Sequence, residues 1–485
     1  MRRVAIARRG AAQTRRTAVL AALVGLGTFL LVFSVGSLRR AAFVSSFPDP
    51  RAPPGPGAPP PAFGTAADAA VLASLGGVPQ SESKAAPGGP QLVDEPPEWD
   101  EFVHAGAAYL IRVLHEDGRF SYNLRESGTF NPKAYNVLRH AGATYALASY
   151  QLWTREFAPH HDTSAALDAT RRAAGYLRQS FVSEVGSELP GALAVWDEPS
   201  LIGGNALSRR CAKLGGAGLT LVALSTLEKI SPGETPLEDL AKIADFIGFM
   251  QKEDGGFVSK YCSWTGFDES FTSLYYPGEA ALGLVLLYEV YPDPRFLRIA
   301  LDALLYLANL RETASKVEPD HWAMLATERL FQHADAAKID AEIHRRLYVH
   351  AQRVVRALSS GMLTMERRKA SMPPDGRTTP LATRIEGIIA VVGFDTERRM
   401  PELRRFVKLA ARFLTRSQIL TPGDPRHGGL PKSVLPGKGN GEVRIDYVQH
   451  AICGIMRSLE AGLAPDDPVL DVDPSPGAQG PGHGM

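Results

Sequence analysis

The residues able to do chemistry are concentrated in six short segments, each leading into a strongly apolar stretch. They read Tyr135-Asn136-Val137-Leu138-Arg139-His140; Arg210-Cys211-Ala212-Lys213; Tyr275-Tyr276-Pro277-Gly278-Glu279; Asp320-His321-Trp322; Thr383-Arg384-Ile385-Glu386; and Arg444-Ile445-Asp446-Tyr447-Val448-Gln449-His450. Charges placed where a buried helix begins are costly unless they pair or face a wet cavity. Aromatic faces stack on sugar rings, Arg and Lys pair with carboxylates or sulfates, and acids accept hydroxyl hydrogen bonds. That mixture points to a saccharide, and the cations to an anionic one. The expected binding set is Tyr135, Asn136, Arg139, His140, Lys213, Tyr275, Tyr276, His321, Trp322, Arg384, Tyr447 and His450.

Glu279, Asp320, Glu386 and Asp446 are the candidate catalytic carboxyls. A glycosidase sets two carboxyls across the scissile bond, about 5 Å apart if retaining and about 6.5–9.5 Å if inverting. Glu279, flanked by Tyr275, Tyr276, Ala280 and Ala281, is the expected general acid, because an apolar setting keeps a carboxyl protonated. Asp446 is the expected base. His140, His321 or His450 would replace it in an elimination or epimerisation, where a base removes a proton beside a carboxylate. Plainer roles stand beside these. Glu279, Asp320 and Asp446 suit helix N-termini, the cations can pair with acids across the same opening, and Trp322 and the tyrosines can be core.

Two kinds of helix must position these segments. One kind is amphipathic: 236–250, 295–310, 342–358 and 400–414. In the last, Leu403, Phe406, Val407, Ala410, Phe413 and Leu414 form a stripe, with Arg404, Arg405, Lys408 and Arg412 turned to solvent. The other kind is apolar or small on every side: 141–153, 216–227, 278–290 and 386–394. Such a helix must be buried all round. With the less distinctive helices near 101–115, 164–182, 319–333 and 445–463, the two kinds alternate as twelve helices in six pairs. The apolar members start near 137, 212, 278, 320, 383 and 446, a mean spacing of about 62 residues. Pairs of one solvated and one buried helix close into a ring, so the predicted fold is all-α, an (α/α)6 toroid.

Weak internal similarity supports the repeat: HEDGRF (115–120), QKEDGGF (251–257) and PRHGGLP (425–431) follow outer helices, their glycines suited to a left-handed backbone. Each runs into a short extended piece, FSYNL, FVSKYC or LPKSV. The QKEDGGF form resembles the repeat of terpene cyclases and prenyltransferase β-subunits. The alternation resembles the wider α/α-toroid group that includes six-hairpin glycosidases and glucuronyl C5-epimerases. This resemblance covers nearly all of 100–464 in architecture and a few residues per repeat in sequence, and it implies fold more than function. Isoprenoid chemistry needs a DxDD or DDxxD motif, and the one Asp-Asp pair, Asp466-Asp467, lies in the C-terminal tail. A zinc site of the prenyltransferase or lanthionine-cyclase kind needs Cys and His ligands entering the ring, where Cys211 stands alone. No metal and no cofactor is expected.

The chain also carries its own address. Residues 1–17 hold six arginines and no acid, and 18–38 hold no charge and are rich in Leu, Val, Ala and Phe. Twenty-one such residues span a bilayer core of roughly 30 Å. The basic flank should stay cytoplasmic, giving a single-pass anchor with the remainder periplasmic or otherwise extracytoplasmic. A cleaved signal peptide is the alternative and leads to the same compartment. Residues 39–99 and 465–485, dense in Pro, Gly and Ala, are a predicted disordered linker and tail around the domain at 100–464. The first 40 residues contain eight arginines and no acid, so a chain of net +1 has a remainder of −7 and no footprint for nucleic acid. Cys211 and Cys262 can pair in an oxidising compartment, and Cys453 sits in an apolar helix as core. Two functions follow. One is a carbohydrate-active enzyme of glycosidase, lyase or C5-epimerase type. The other is a non-catalytic glycan- or partner-binding accessory of envelope polysaccharide assembly.

Overall fold

The computed structural model describes residues 97–132, 134–201, 210–367, 376–395, 400, 402–435 and 441–465. The predicted tail, anchor and almost all of the linker, and the C-terminal segment from 466, lie outside the described residues. Among the described residues no helix is long and apolar enough to cross a membrane.

Twelve helices are present among the described residues, in six pairs: α1 (Trp99–Arg112) with α2 (Val137–Phe157), α3 (Ser164–Phe181) with α4 (Leu214–Ile230), α5 (Leu237–Phe249) with α6 (Tyr276–Val290), α7 (Pro294–Glu312) with α8 (His321–Phe331), α9 (Ala341–Arg367) with α10 (Thr378–Phe394), and α11 (Glu402–Arg416) with α12 (Ile445–Glu460). The even-numbered helices pack in sequence, α2 on α4 and so on to α12, which returns to α2. Odd-numbered helices pack outside them. The ring is closed, and the even helices are its inner wall.

Sequence accounts for which helix goes where. α4, LGGAGLTLVALSTLEKI, has no polar face, and all of its residues but Lys229 are buried. Its glycines let the inner helices touch: a Cβ on Gly218 would lie 2.6 Å from the backbone of α6 at Glu279 and Ala280. α11 instead buries Leu403, Phe406, Val407, Ala410 and Leu414 of the predicted stripe, with its sixth member, Phe413, half-buried. Arg404 and Arg412 are exposed as expected. Lys408 is not: it is buried. α10 begins at Thr378, earlier than the expected 383.

The three glycine motifs have one structural role. Gly118, Gly255 and Gly428 adopt φ of +85°, +87° and +80°. At each, a Cβ would sit within 2.1–2.5 Å of a backbone oxygen of an outer helix, of Arg172 in α3, Asp302 in α7 and Ala105 in α1. The turns sit beyond the helix ends rather than capping them, and they wedge one outer helix against another.

The domain is not purely helical. Strands β1 (Asn123–Leu124) and β7 (Val443–Arg444) pair antiparallel. Strands β2 (Val182–Glu184), β3 (Leu193–Asp197), β4 (Cys211–Lys213), β5 (Lys260–Cys262) and β6 (Gly266–Phe267) form a second antiparallel sheet in that order. β4 runs straight into α4 and β7 into α12, so the sheets form a collar where inner helices start. Cys211 and Cys262 face each other in register and are disulfide-bonded. Cys453 is buried and free, as expected of a core position.

Candidate functional site

A cavity of about 500 Å³ opens at the N-terminal ends of the inner helices. Its wall takes Asn136 and Arg139 from α2, Tyr276 and Glu279 from α6, and His321 and Trp322 from α8. α10 supplies Thr379, Thr383 and Arg384, and α12 supplies Asp446, Gln449 and His450. Tyr275, Arg377 and Ser273 add to the rim, and α4 contributes Leu219. Arg139, Glu279, Arg384 and Asp446, from four repeats, therefore share one opening.

Each polar group has a definite setting. Glu279 is buried, Oε2 has no hydrogen-bond partner, and the carboxyl leans into space left by Gly215, where a Cβ would stand 2.1 Å from that oxygen. Burial, aided by the nearby Asp320 charge, pushes its pKa up to about 8. At neutral pH it is a protonated acid. Asp446 is the opposite case. Burial pushes it up, but Arg444 at 2.5 and 2.9 Å and Arg139 at 3.0 Å hold it below the usual carboxylate range. A carboxylate so clamped is a weak base, and the same contact ties Arg139 to α12.

Behind the wall, Glu386 is buried on α10 and places Oε2 2.7 Å from His450 Nδ1. With Nδ1–H donated to this carboxylate, Nε2 of His450 is left as the proton acceptor; Gln449 Nε2 also stands 3.3 Å from Nδ1. His321 packs between Trp322 at 4.7 Å, His450 at 5.3 Å and Tyr275 at 5.6 Å between ring centres. Burial, then the neighbouring His450, drives the His321 pKa well below its ordinary value, so this ring is neutral.

Six of the expected residues do not line the cavity. Asp320 is fully buried, capping α8 through Ala323 N and paired with Arg311 at 2.7 Å. Glu386 stands one layer back, reaching the site only through His450. Tyr135 and His140 bond to each other at 2.6 Å, and His140 also holds the Ala173 carbonyl from 2.8 Å. Burial pushes His140 down to about 4. Lys213 turns to Asp197 of the adjacent strand at 2.5 Å. Tyr447 lies buried beneath the Arg444 guanidinium, 4.5 Å from its ring centre. Asn136 keeps its place but also caps α2 through Arg139 N. In each case a partner within the protein, near or remote in sequence, engages a group whose type alone suited a ligand. Arg377, Thr379, Thr383 and Gln449 were missed as site residues. With α10 assigned from 383, residues 377 and 379 fell before it, and the signal that would have found them is the Arg-Thr-Thr-Pro helix start at 377–380.

No protein-family model matches the chain, and no characterised protein matches it in sequence. Solved structures do. The cellobiose 2-epimerase of Spirochaeta thermophila superposes with a TM-score of 0.55 at 14% identity, over 75% of this chain and 96% of that one. A D-mannose isomerase gives 0.51 at 12%, over 75% and 97%, and a GH76 α-1,6-mannanase from Salegentibacter sp. gives 0.50 at 11%, over 75% and 99%. The chain has the six-hairpin glycosidase-like (α/α)6 toroid fold. An epimerase, an isomerase and a hydrolase share it, so the toroid itself does not select a reaction.

Proposed function

We propose that this toroid is a membrane-anchored, extracytoplasmic carbohydrate-active enzyme. It moves a proton on an anionic saccharide, as a uronate epimerase or lyase does, rather than hydrolysing through two carboxylates. One observation carries this reading: a single cavity joins a carboxylic acid held protonated, Glu279, to an imidazole held by a buried carboxylate, His450 on Glu386. Hydrolysis through Glu279 and Asp446 is less well supported, because two guanidiniums occupy Asp446.

Mechanistically, Arg139, Arg377 and Arg384 on the cavity wall suit the sugar carboxylate. Tyr275 and Trp322 suit the ring faces. His450 Nε2 takes the proton beside the carboxylate, while Glu386 stabilises the imidazolium that forms. Glu279 then either returns a proton to the opposite face, inverting that carbon, or protonates a departing glycosidic oxygen, completing an elimination. The extracytoplasmic assignment rests on the arginine-flanked apolar segment at 18–38 and is supported by the Cys211–Cys262 disulfide, since such bonds persist in oxidising compartments.

The test is a screen of uronic-acid-containing glycans for exchange of solvent deuterium into the sugar and for unsaturated product. Glu279→Gln and His450→Gln should each lower turnover by about 10²–10⁴-fold while the glycan still binds. Unchanged turnover in both variants would overturn the mechanism. Binding with no turnover in the wild type would establish the accessory-protein reading instead.

A further inference from the structure

We propose that His321, Glu386 and His450 form a binding site for a divalent transition-metal ion of the zinc class. Three inner helices, α8, α10 and α12, deliver them, and one ligand atom from each lies within 4.8 Å of the others. Around a tetrahedral zinc, ligand atoms about 2.0–2.2 Å from the ion stand roughly 3.3 Å from each other. Here His450 Nδ1 is 2.7 Å and His321 Nε2 is 3.9 Å from the same Glu386 oxygen. The two separations straddle the required one, each about 0.6 Å from it, so side-chain adjustments on the order of an ångström create the site.

A second observation points to an ion independently. His321 Nε2 is buried and has no hydrogen-bond partner, and the Glu386 oxygen it faces is too distant to supply one. The proton transfer described above gives this nitrogen nothing to do. A metal ion would satisfy it, and the rings of Trp322 and Tyr275 already pack against the imidazole. The donor set, two imidazoles and a carboxylate, is one that zinc, cobalt and iron accept. His321 and His450 both line the cavity, so the site lies at its wall, with Glu386 one layer behind.

Occupation has a defined consequence for the proposed activity, on which this part of the inference rests. In the proposed activity, metal-free His450 donates Nδ1–H to Glu386. The ion takes Nδ1, and the ring's proton moves through solvent to Nε2, with no change of oxidation state anywhere. Nε2–H then faces the cavity as a donor, the base is lost, and the ion inhibits.

Titration of the full chain in detergent with Co²⁺, followed by its visible absorption, and then displacement by Zn²⁺, tests the site. One equivalent of tetrahedral Co²⁺ is expected, released by one equivalent of Zn²⁺. His321→Gln and Glu386→Gln should each weaken Co²⁺ binding by at least about 100-fold, since even outer-shell changes cost 10–100-fold. Glu279→Gln, on the cavity wall but outside the ligand set, should bind as the wild type does. Circular dichroism identifies the variants that fold, and a folded variant of either ligand residue suffices. Absence of a one-equivalent isotherm, or one unchanged by both ligand substitutions, overturns the proposal. Stoichiometric binding in a protein whose metal-free form shows no saccharide turnover sinks the proposed activity and leaves the metal site. Metal-insensitive turnover without binding does the reverse.

Discussion

At the scale of single residues, the carboxyls divide according to what surrounds them rather than what they are. Asp320, Asp446 and Glu386 each have a hydrogen-bonded partner, whereas Glu279 Oε2 has none. Burial raises the pKa of Asp320 too, against the pull of Arg311, but at Glu279 nothing but the Arg139 charge opposes it, and that makes a stability prediction with a definite sign. In the unfolded chain a glutamate ionises near 4.5, and in the fold Glu279 ionises near 8. Between these values the folded state holds a proton that the unfolded state has released, so stability falls as pH rises, by up to about 1.4 kcal/mol per pH unit. Above about 8 both states are ionised and the loss stops growing. Thermal melts of wild type and Glu279→Gln should therefore diverge between about pH 5 and 8, the wild type losing ground. Melting curves that stay parallel would show that the carboxyl is solvated and is no reservoir of acid at neutral pH. The same distinction explains the site residues that sequence misplaced. Lys213 and His140 have the right types at the right turn of the helix, but Asp197 and Ala173, remote in sequence, reach them first.

At the scale of elements, the twelve helices were legible because burial leaves a periodic trace. A helix surrounded by others cannot keep a polar face, and α4 and α6 have none. The glycine turns were legible as turns but not as wedges, since the backbone oxygens they meet belong to other repeats. Their role is open to test at Gly255. Alanine there must adopt φ near +87° and place its Cβ about 2.5 Å from the Asp302 carbonyl. Gly255→Ala is expected to cost about 1–3 kcal/mol in chemical denaturation, the range for a forced backbone conformation, with α7 displaced from α5. Gly233, whose φ is also positive but which has open space around it, should cost less when changed to alanine. Equal losses at the two positions would show that close approach adds nothing. The collar strands were not expected as sheets. They are two to five residues long, and their pairing joins distant turns, Cys211 with Cys262 and Asn123 with Arg444. No local pattern encodes such partners.

At the scale of the whole molecule, the proposed anchor sets where the toroid works. If residues 18–38 hold the chain in a bilayer with the arginines inside, the full-length protein should sediment with membranes and resist carbonate extraction. Protease added to spheroplasts should digest the domain while the N-terminal tail stays protected. Recovery of the protein in the carbonate supernatant, or a domain shielded from protease, would remove the extracytoplasmic assignment. From the chain alone came the alternation of solvated and buried helices, hence a ring, and the acid best placed to stay protonated. These are properties of neighbouring residues: hydrophobic period, charge-free length and the apolar flank of Glu279 follow from composition within a turn or two of helix. Ring closure decided the rest. It set Glu386 behind His450 across 64 residues and tied Arg139 to Asp446 across 307. Which charge meets which is a matter of distances between repeats, and those exist only once α12 has packed against α2.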